Sequence, residues 1–133
     1  MNNSSLQAIS TSNAPSPVGP YNQAVLVSDW LYCSGQIPLD PKTGRIVGEG
    51  EIEAETDQVI ENIKAVLQAA GANPTQVVKT TIYLVDLKDF EKVNNIYAKA
   101  FGSETSPARA CVEVSALPKG ARVEMDCVAW LGK

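Results

Sequence analysis

The chain has 133 residues, a net charge of −4, 44% hydrophobic residues and 20% charged residues, a composition typical of one soluble globular domain. No apolar run approaches the roughly 20 residues of a membrane span, and the scattered lysines and arginines form no basic track for nucleic acid. The sequence contains no histidine, which excludes Ser-His-Asp and Cys-His catalysis and nearly all catalytic zinc sites. Any chemistry must therefore use carboxylate, guanidinium, hydroxyl, thiol and backbone groups.

The amino-terminal segment predicts neither export nor delivery to an organelle. It has no basic region followed by an apolar run, and its first 17 residues contain no arginine or lysine. We expect residues 1–8 to be a polar, flexible lead-in and residues 9–133 to form a single domain. The cysteines at 33, 111 and 127 are odd in number and widely spaced, which predicts free thiols in a reducing, cytoplasmic compartment.

The periodicity of apolar residues predicts seven helices and strands in chain order. Two strands at 23–27 and 30–37 flank a two-residue turn, and a helix is expected at 53–70 after a loop rich in Gly and Pro. A strand at 77–85, a helix at 90–101 and two strands at 108–114 and 122–130 complete the chain. The order ββαβαββ predicts an α+β fold in which both helices pack on one face of a mixed sheet. The other face is amphipathic and suits a subunit interface.

The stretch SPARACVEV at 106–114 is the most informative part of the sequence. Alternation along a strand places Arg109, Cys111 and Glu113 on one face. Arg109 has two interpretations. One is an ion pair with Glu113 or Glu124 of a neighbouring strand, and the other is a two-pronged clamp for a small carboxylate.

Three further residues have both a structural and a functional interpretation. Glu124 comes near Arg109 if the last two strands pair; it is then either a solvated carboxylate or an acid–base group. Asn94 falls within the apolar stripe of the second helix, where its side-chain amide either forms a hydrogen bond to a loop or contacts a ligand. Cys111 is either a nucleophile activated by Arg109 or a small side chain that lines a pocket.

The amino-terminal half contributes weaker signals. Tyr21 follows a bend rich in Pro and Gly and is by itself an ordinary loop aromatic. Ser34 and Gly35 end a strand with a hydroxyl and exposed backbone donors, which could contact an anion. The loop glycines at 44, 48 and 50 form no phosphate-binding motif.

Together these segments resemble the RidA family of enamine/imine deaminases, also called YjgF-like proteins. The resemblance rests on APSPVGPYNQAV, YCSGQIPLDPKTG, VVKTTIYLVDLKDFEKVN and SPARACVEVSALPKGARVEMD in this order, and it spans residues 9–130. It implies a chorismate-mutase-like fold and a homotrimer whose sheets form a central barrel, with ligand sites in the clefts between subunits. It also implies hydrolysis of 2-aminoacrylate and related enamines or imines to 2-oxo acids, such as pyruvate, and ammonia, with neither cofactor nor metal.

The resemblance also implies roles for individual residues. Arg109 matches the arginine that holds the substrate carboxylate, and Glu124 matches the glutamate that positions the attacking water. The other pocket positions of the family fall on Tyr21, Ser34, Gly35, Asn94 and Cys111. The rival hypothesis is a non-catalytic trimer that senses a 2-oxo acid or acts as a chaperone or regulator; a ribonuclease is a more distant alternative, because the chain is acidic.

Overall fold

A computed structural model describes residues 5–132. Those residues form six strands and two helices. In chain order they are β1 (Gln7–Ile9), β2 (Ala24–Val27), β3 (Trp30–Gln36), α1 (Ile52–Ala69), β4 (Val77–Leu84), α2 (Phe90–Phe101), β5 (Ala108–Glu113) and β6 (Val123–Trp130). The predicted order ββαβαββ is confirmed from β2 onward, with one short strand added before it.

The six strands form a single mixed sheet in the order β1-β2-β3-β6-β4-β5. Helix α2 carries the chain from β4 back to the start of β5, so these two strands are parallel, and every other pair is antiparallel. The last strand, β6, enters between β3 and β4. Strands β5 and β6 therefore do not pair with each other, because β4 separates them.

Both helices cover the same face of the sheet, as the sequence predicts, and the core lies between them. Alternate residues of the central strands point toward the helices, and the periodic apolar residues of the helices point back. The largest fully buried apolar side chains include Leu31, Val59, Ile63, Leu67, Ile82, Leu84 and Met125. Each stabilises the fold by ~1.5–3 kcal/mol through loss of apolar surface to water.

The opposite face of the sheet, which we call the open face, has no covering layer in residues 5–132. Large apolar side chains on it stay exposed: Trp30 by 41%, Tyr32 by 52%, Val112 by 42% and Trp130 by 39%. The Trp30 and Trp130 rings lie side by side, with centroids 6.4 Å apart. The exposed rings of Trp30, Tyr32 and Trp130 lie on the paired strands β3 and β6, and an apolar surface of this kind marks a protein interface more often than a free surface.

The predicted flexible lead-in over residues 1–8 is wrong for Gln7 and Ala8. Residues 1–4 lie outside the described part of the chain, but Gln7 and Ala8 pair with Leu26 and Val25 of β2. A strand of three residues is too short for alternation to reveal it. Within residues 5–132, neither helix is both long enough and apolar enough to cross a membrane.

Candidate active site

Arg109 lies on β5 and is held by three side chains of α2. Its Nη1 donates a hydrogen bond to Oδ1 of Asn94 at 2.6 Å. The guanidinium carbon also lies 5.4 Å from the ring centroid of Phe90 and 4.9 Å from that of Tyr97, within the range of cation–π attraction. The Tyr97 hydroxyl is in turn hydrogen-bonded to Thr80 of β4 at 2.7 Å. Asn94 and two rings thus fix the orientation of an otherwise exposed guanidinium.

The ion-pair interpretation of Arg109 is wrong within one chain. Among residues 5–132, the guanidinium has no carboxylate within salt-bridge distance. Glu113 accepts a hydrogen bond from the backbone N–H of Leu87 at 2.9 Å, and Glu124 lies on the other face of the sheet. Arg109 is therefore a positioned cation that no carboxylate of residues 5–132 neutralises, as a receptor for an anion requires.

A cleft of about 370 Å³ opens beside this guanidinium, and we call it the arginine cleft. Its walls come from the last turns of α2 and from the loop that leads into β5. The lining residues are Asn94, Tyr97, Ala98, Phe101, Gly102, Ser106, Pro107 and Arg109. Aromatic and small apolar groups thus surround a single cation, an arrangement that suits a small organic anion.

Cys111 follows Arg109 on the same face of β5, opposite Ile82 of β4. Burial raises the pKa of the Cys111 thiol, and the nearby charge of Arg109 opposes this only in part. A thiol with a raised pKa is a poor nucleophile, because the thiolate is the reactive form. The geometry thus favours Cys111 as a wall of the site.

A second cleft, of about 320 Å³, lies on the open face, and we call it the glutamate cleft. It is lined by Val18, Tyr21, Ser34, Gly35, Ile37, Pro118 and Glu124. The Ser34 hydroxyl donates a hydrogen bond to the backbone oxygen of Asn22 at 2.6 Å, and the backbone N–H of Ser34 donates to the backbone oxygen of Gln23 at 2.9 Å. These bonds fasten β3 to the loop that carries Tyr21, so four of the predicted site residues converge here.

Glu124 is half-buried in this cleft, against the backbone of Gly35. A side chain on Gly35 would occupy the space that the Glu124 carboxylate fills. Burial raises the pKa of Glu124, and the negative charge of Asp126 raises it further. A carboxyl group with a raised pKa holds its proton to a higher pH than a solvated one, which suits it to proton transfer.

The two clefts lie on opposite faces of the sheet. Arg109 is level with Thr80 on the helix side, whereas Glu124 is level with Tyr83 on the open face. Strands are ~4.8 Å apart and rise ~3.3 Å per residue, so the Cα atoms of Arg109 and Glu124 are separated by roughly 10 Å across the strands and by roughly 10 Å along them. The predicted approach of Glu124 to Arg109 is therefore wrong within one chain, because it assumed that β5 and β6 pair.

The predicted site residues thus fall into two groups. Asn94, Arg109 and Cys111 lie together on the helix side, and Tyr21, Ser34, Gly35 and Glu124 lie together on the open face. Sequence reasoning missed the part that Phe90 and Tyr97 play in holding Arg109. Both belong to the apolar stripe of α2, which predicts only that they pack against the sheet, and their proximity to the guanidinium depends on the pairing of β4 with β5. Within the described residues, no three Cys, Asp or Glu side chains converge as a metal site would require.

Comparisons with known proteins place the chain in a family. The family described as endoribonuclease L-PSP matches residues 11–131. Human 2-iminobutanoate/2-iminopropanoate deaminase is 49% identical over 126 residues, covering 95% of this chain and 90% of the human protein. The chain therefore belongs to the RidA family, as the sequence motifs predicted.

Solved structures agree with this assignment. The Rid-family protein YyfA of Yersinia pestis superposes with a TM-score of 0.91 at 48% identity, covering 95% of this chain and 99% of the other. E. coli TdcF, solved with bound serine, superposes with a TM-score of 0.88 at 34% identity, covering 95% of this chain and 99% of TdcF. The predicted α+β, YjgF-like architecture of the chain is thereby confirmed.

Proposed function

We propose that the protein is a deaminase that hydrolyses 2-aminoacrylate and related enamines or imines to 2-oxo acids and ammonia. The observation that carries this proposal is the Arg109 guanidinium, which Asn94 and two aromatic rings orient but which no carboxylate of residues 5–132 neutralises. Such a group suits the carboxylate that every 2-imino acid has. The deaminase name of the human relative and the bound serine of TdcF support the same ligand class.

The reaction needs one water and no redox partner. Arg109 holds the substrate carboxylate, and Tyr21, Ser34, Asn94 and backbone amides, including that of Gly35, are proposed to surround the remaining atoms. Glu124 orients a water whose oxygen attacks the imine carbon and forms a C–O bond. Glu124 takes one proton from that water and passes it to the nitrogen as the C=N π bond opens, which gives a carbinolamine. Glu124 then passes the remaining hydroxyl proton to the nitrogen, so that the C–N bond breaks, ammonia leaves and the C=O bond of the 2-oxo acid forms. Because an imine is already electrophilic, positioning and proton transfer can supply the catalysis.

We further propose a homotrimer in which each site combines the arginine cleft of one subunit with the glutamate cleft of the next. Two features support this assembly. The clefts lie on opposite faces of one sheet, so a substrate of a few heavy atoms cannot reach both within one chain. The exposed Trp30, Tyr32 and Val112 of the open face also require a partner surface.

The proposed deaminase acts in the cytoplasm and without a cofactor. The three cysteines are free thiols, as a reducing compartment favours, and the steps above use only groups of the protein and one water. Although the matching family is described as an endoribonuclease, this chain has a net charge of −4 and no histidine. An acidic protein has little attraction for a phosphate backbone, so RNA is not the proposed substrate.

The proposal is tested by following the disappearance of an imine. An L-amino-acid oxidase generates the imino acid, semicarbazide traps it, and the protein competes with the trap. We expect wild-type protein to lower semicarbazone formation, and Arg109→Ala to have no effect while it keeps its fold and oligomeric state. Arg45→Ala, which removes an exposed loop arginine, serves as the matched control and should behave as wild type.

Two outcomes would overturn the proposal. Full activity of Arg109→Ala would show that the guanidinium does not hold the substrate. A folded wild-type protein without activity on any imino acid would favour a trimer that binds 2-oxo acids without turnover, a role in which the same arginine would be needed. A chaperone or regulatory role would differ again, because it should persist in the Arg109→Ala variant.

A further inference from the structure

The open face holds a second carboxylate beside Glu124 that the mechanism above does not use. Asp126 follows Glu124 by two residues on β6, so both side chains project from the same face of the sheet. Both are half-buried. Two carboxylates that share a confined surface disfavour each other's charged form, so one of them takes up a proton more readily than it would alone.

Tyr83 makes the surroundings of these two carboxyl groups unequal. It lies on β4 directly opposite Glu124, and its hydroxyl donates a hydrogen bond to Oδ2 of Asp126 at 2.9 Å. A hydrogen bond of this kind favours the charged form of the carboxylate that accepts it. Burial, followed by the bond to Asp126, raises the pKa of Tyr83, so its hydroxyl remains a donor at neutral pH.

Glu124 has a contrasting environment. Its carboxylate lies against the Gly35 backbone, where burial first and the charge of Asp126 second raise its pKa. When two neighbouring acids differ in this way, the environments assign the proton to one of them.

We propose that Asp126 and Tyr83 are positioning residues that make Glu124, rather than Asp126, the carboxyl group that carries the exchangeable proton of the site. This inference rests on the proposed deaminase function, in which Glu124 moves protons. Tyr83 holds the Asp126 carboxylate in place through its hydrogen bond, and the negative charge of Asp126 adds to burial in raising the pKa of Glu124.

The other polar groups around Glu124 are compatible with this assignment. Tyr21 faces it across the glutamate cleft, and the Ser34 hydroxyl is engaged with a backbone oxygen. Two basic residues occur on the neighbouring stretches of β4 and β6. Arg122 is paired with Asp89 at 2.8 Å, and Lys79 lies opposite Val128, further along the sheet. Asp126 is the charge that acts on Glu124.

The test is a direct titration of the Glu124 side-chain carboxyl carbon by NMR in the full-length protein. We expect its midpoint to fall in Asp126→Asn, because the neighbouring charge is lost. In Tyr83→Phe the midpoint of Glu124 should also fall, because Asp126 loses the hydrogen bond that holds its charge beside Glu124. Asp57→Asn, on the exposed surface of α1, is the matched control and should leave Glu124 unchanged.

A Glu124 midpoint that is unchanged or higher in both variants would overturn the inference. If Asp126→Asn does not fold, Tyr83→Phe alone decides, since a phenylalanine retains the ring. The acid limb of the deaminase pH–rate profile provides a second readout and should move to lower pH in Asp126→Asn. If the wild type has no deaminase activity, the proposed function fails, but the NMR titration still tests the assignment of the proton.

Discussion

Gly35→Ala should inactivate the protein while leaving its fold intact. A Cβ built on Gly35 would overlap Oε2 of Glu124 and lie 2.9 Å from its Cδ and 3.3 Å from its Cγ. Carbon atoms in contact prefer ~3.5–4.0 Å, so the carboxylate must move by roughly 1 Å. A misplacement of this size at a reacting group costs about 100-fold in rate.

The fold should survive because the displaced atoms belong to the end of a flexible side chain and Gly35 has no left-handed backbone angle. The assay is kcat/KM for imine hydrolysis together with the thermal unfolding midpoint. Gly19→Ala is the matched control, because its added Cβ would lie 3.7 Å from the nearest atoms, an ordinary contact with the Tyr21 ring. Full activity of a folded Gly35→Ala protein would refute the assignment of Glu124 to the reaction.

Two further predictions concern the residues that flank the proposed chemistry. Asn94→Ala removes the 2.6 Å hydrogen bond that orients Arg109. Since a hydrogen bond to a charged group contributes ~1.5–3 kcal/mol, KM should rise by about tenfold or more with little change in kcat. An unchanged KM would show that the Phe90 and Tyr97 rings are sufficient to orient the guanidinium. Glu124→Gln should lose activity but gain stability at neutral pH. The pKa of Glu124 is raised in the folded state, so the folded protein binds this proton more tightly than the unfolded chain, and stability falls as pH rises between the unfolded and folded values. Thermal unfolding as a function of pH checks this: the stability difference between variant and wild type should vanish below about pH 4, and a variant less stable than wild type at neutral pH would contradict it.

The parts of the fold that follow from local patterns were predictable. Helix α2 was expected at 90–101 and spans Phe90–Phe101, because its apolar residues repeat at helical spacing and a glycine follows. Strand β6 likewise alternates buried and more exposed side chains over its eight residues, and β4 does so from Thr80 onward. The motifs of the RidA family supplied the identity of the site residues, whose roles remain predictions.

The relative placement of those residues was not predictable, because strand pairing is non-local. Nothing in the sequence of β6 indicates that it inserts between β3 and β4, and the assumption that it pairs with β5 put Glu124 beside Arg109. In the observed structure the two residues lie on opposite faces of the sheet, which is why the proposed site combines clefts from two subunits. The same non-local pairing brings Tyr83 to Asp126, a hydrogen bond that no local pattern indicates.

The central claim, that one site combines the two clefts from different subunits, is tested by mixing two inactive variants. Arg109→Ala retains an intact glutamate cleft, and Glu124→Gln retains an intact arginine cleft. If they are co-expressed in equal amounts and form mixed trimers, about one quarter of the wild-type activity should return, because each mixed trimer has one intact site. No recovery from mixed trimers of confirmed composition would contradict the account and would mean that each site is built within a single chain.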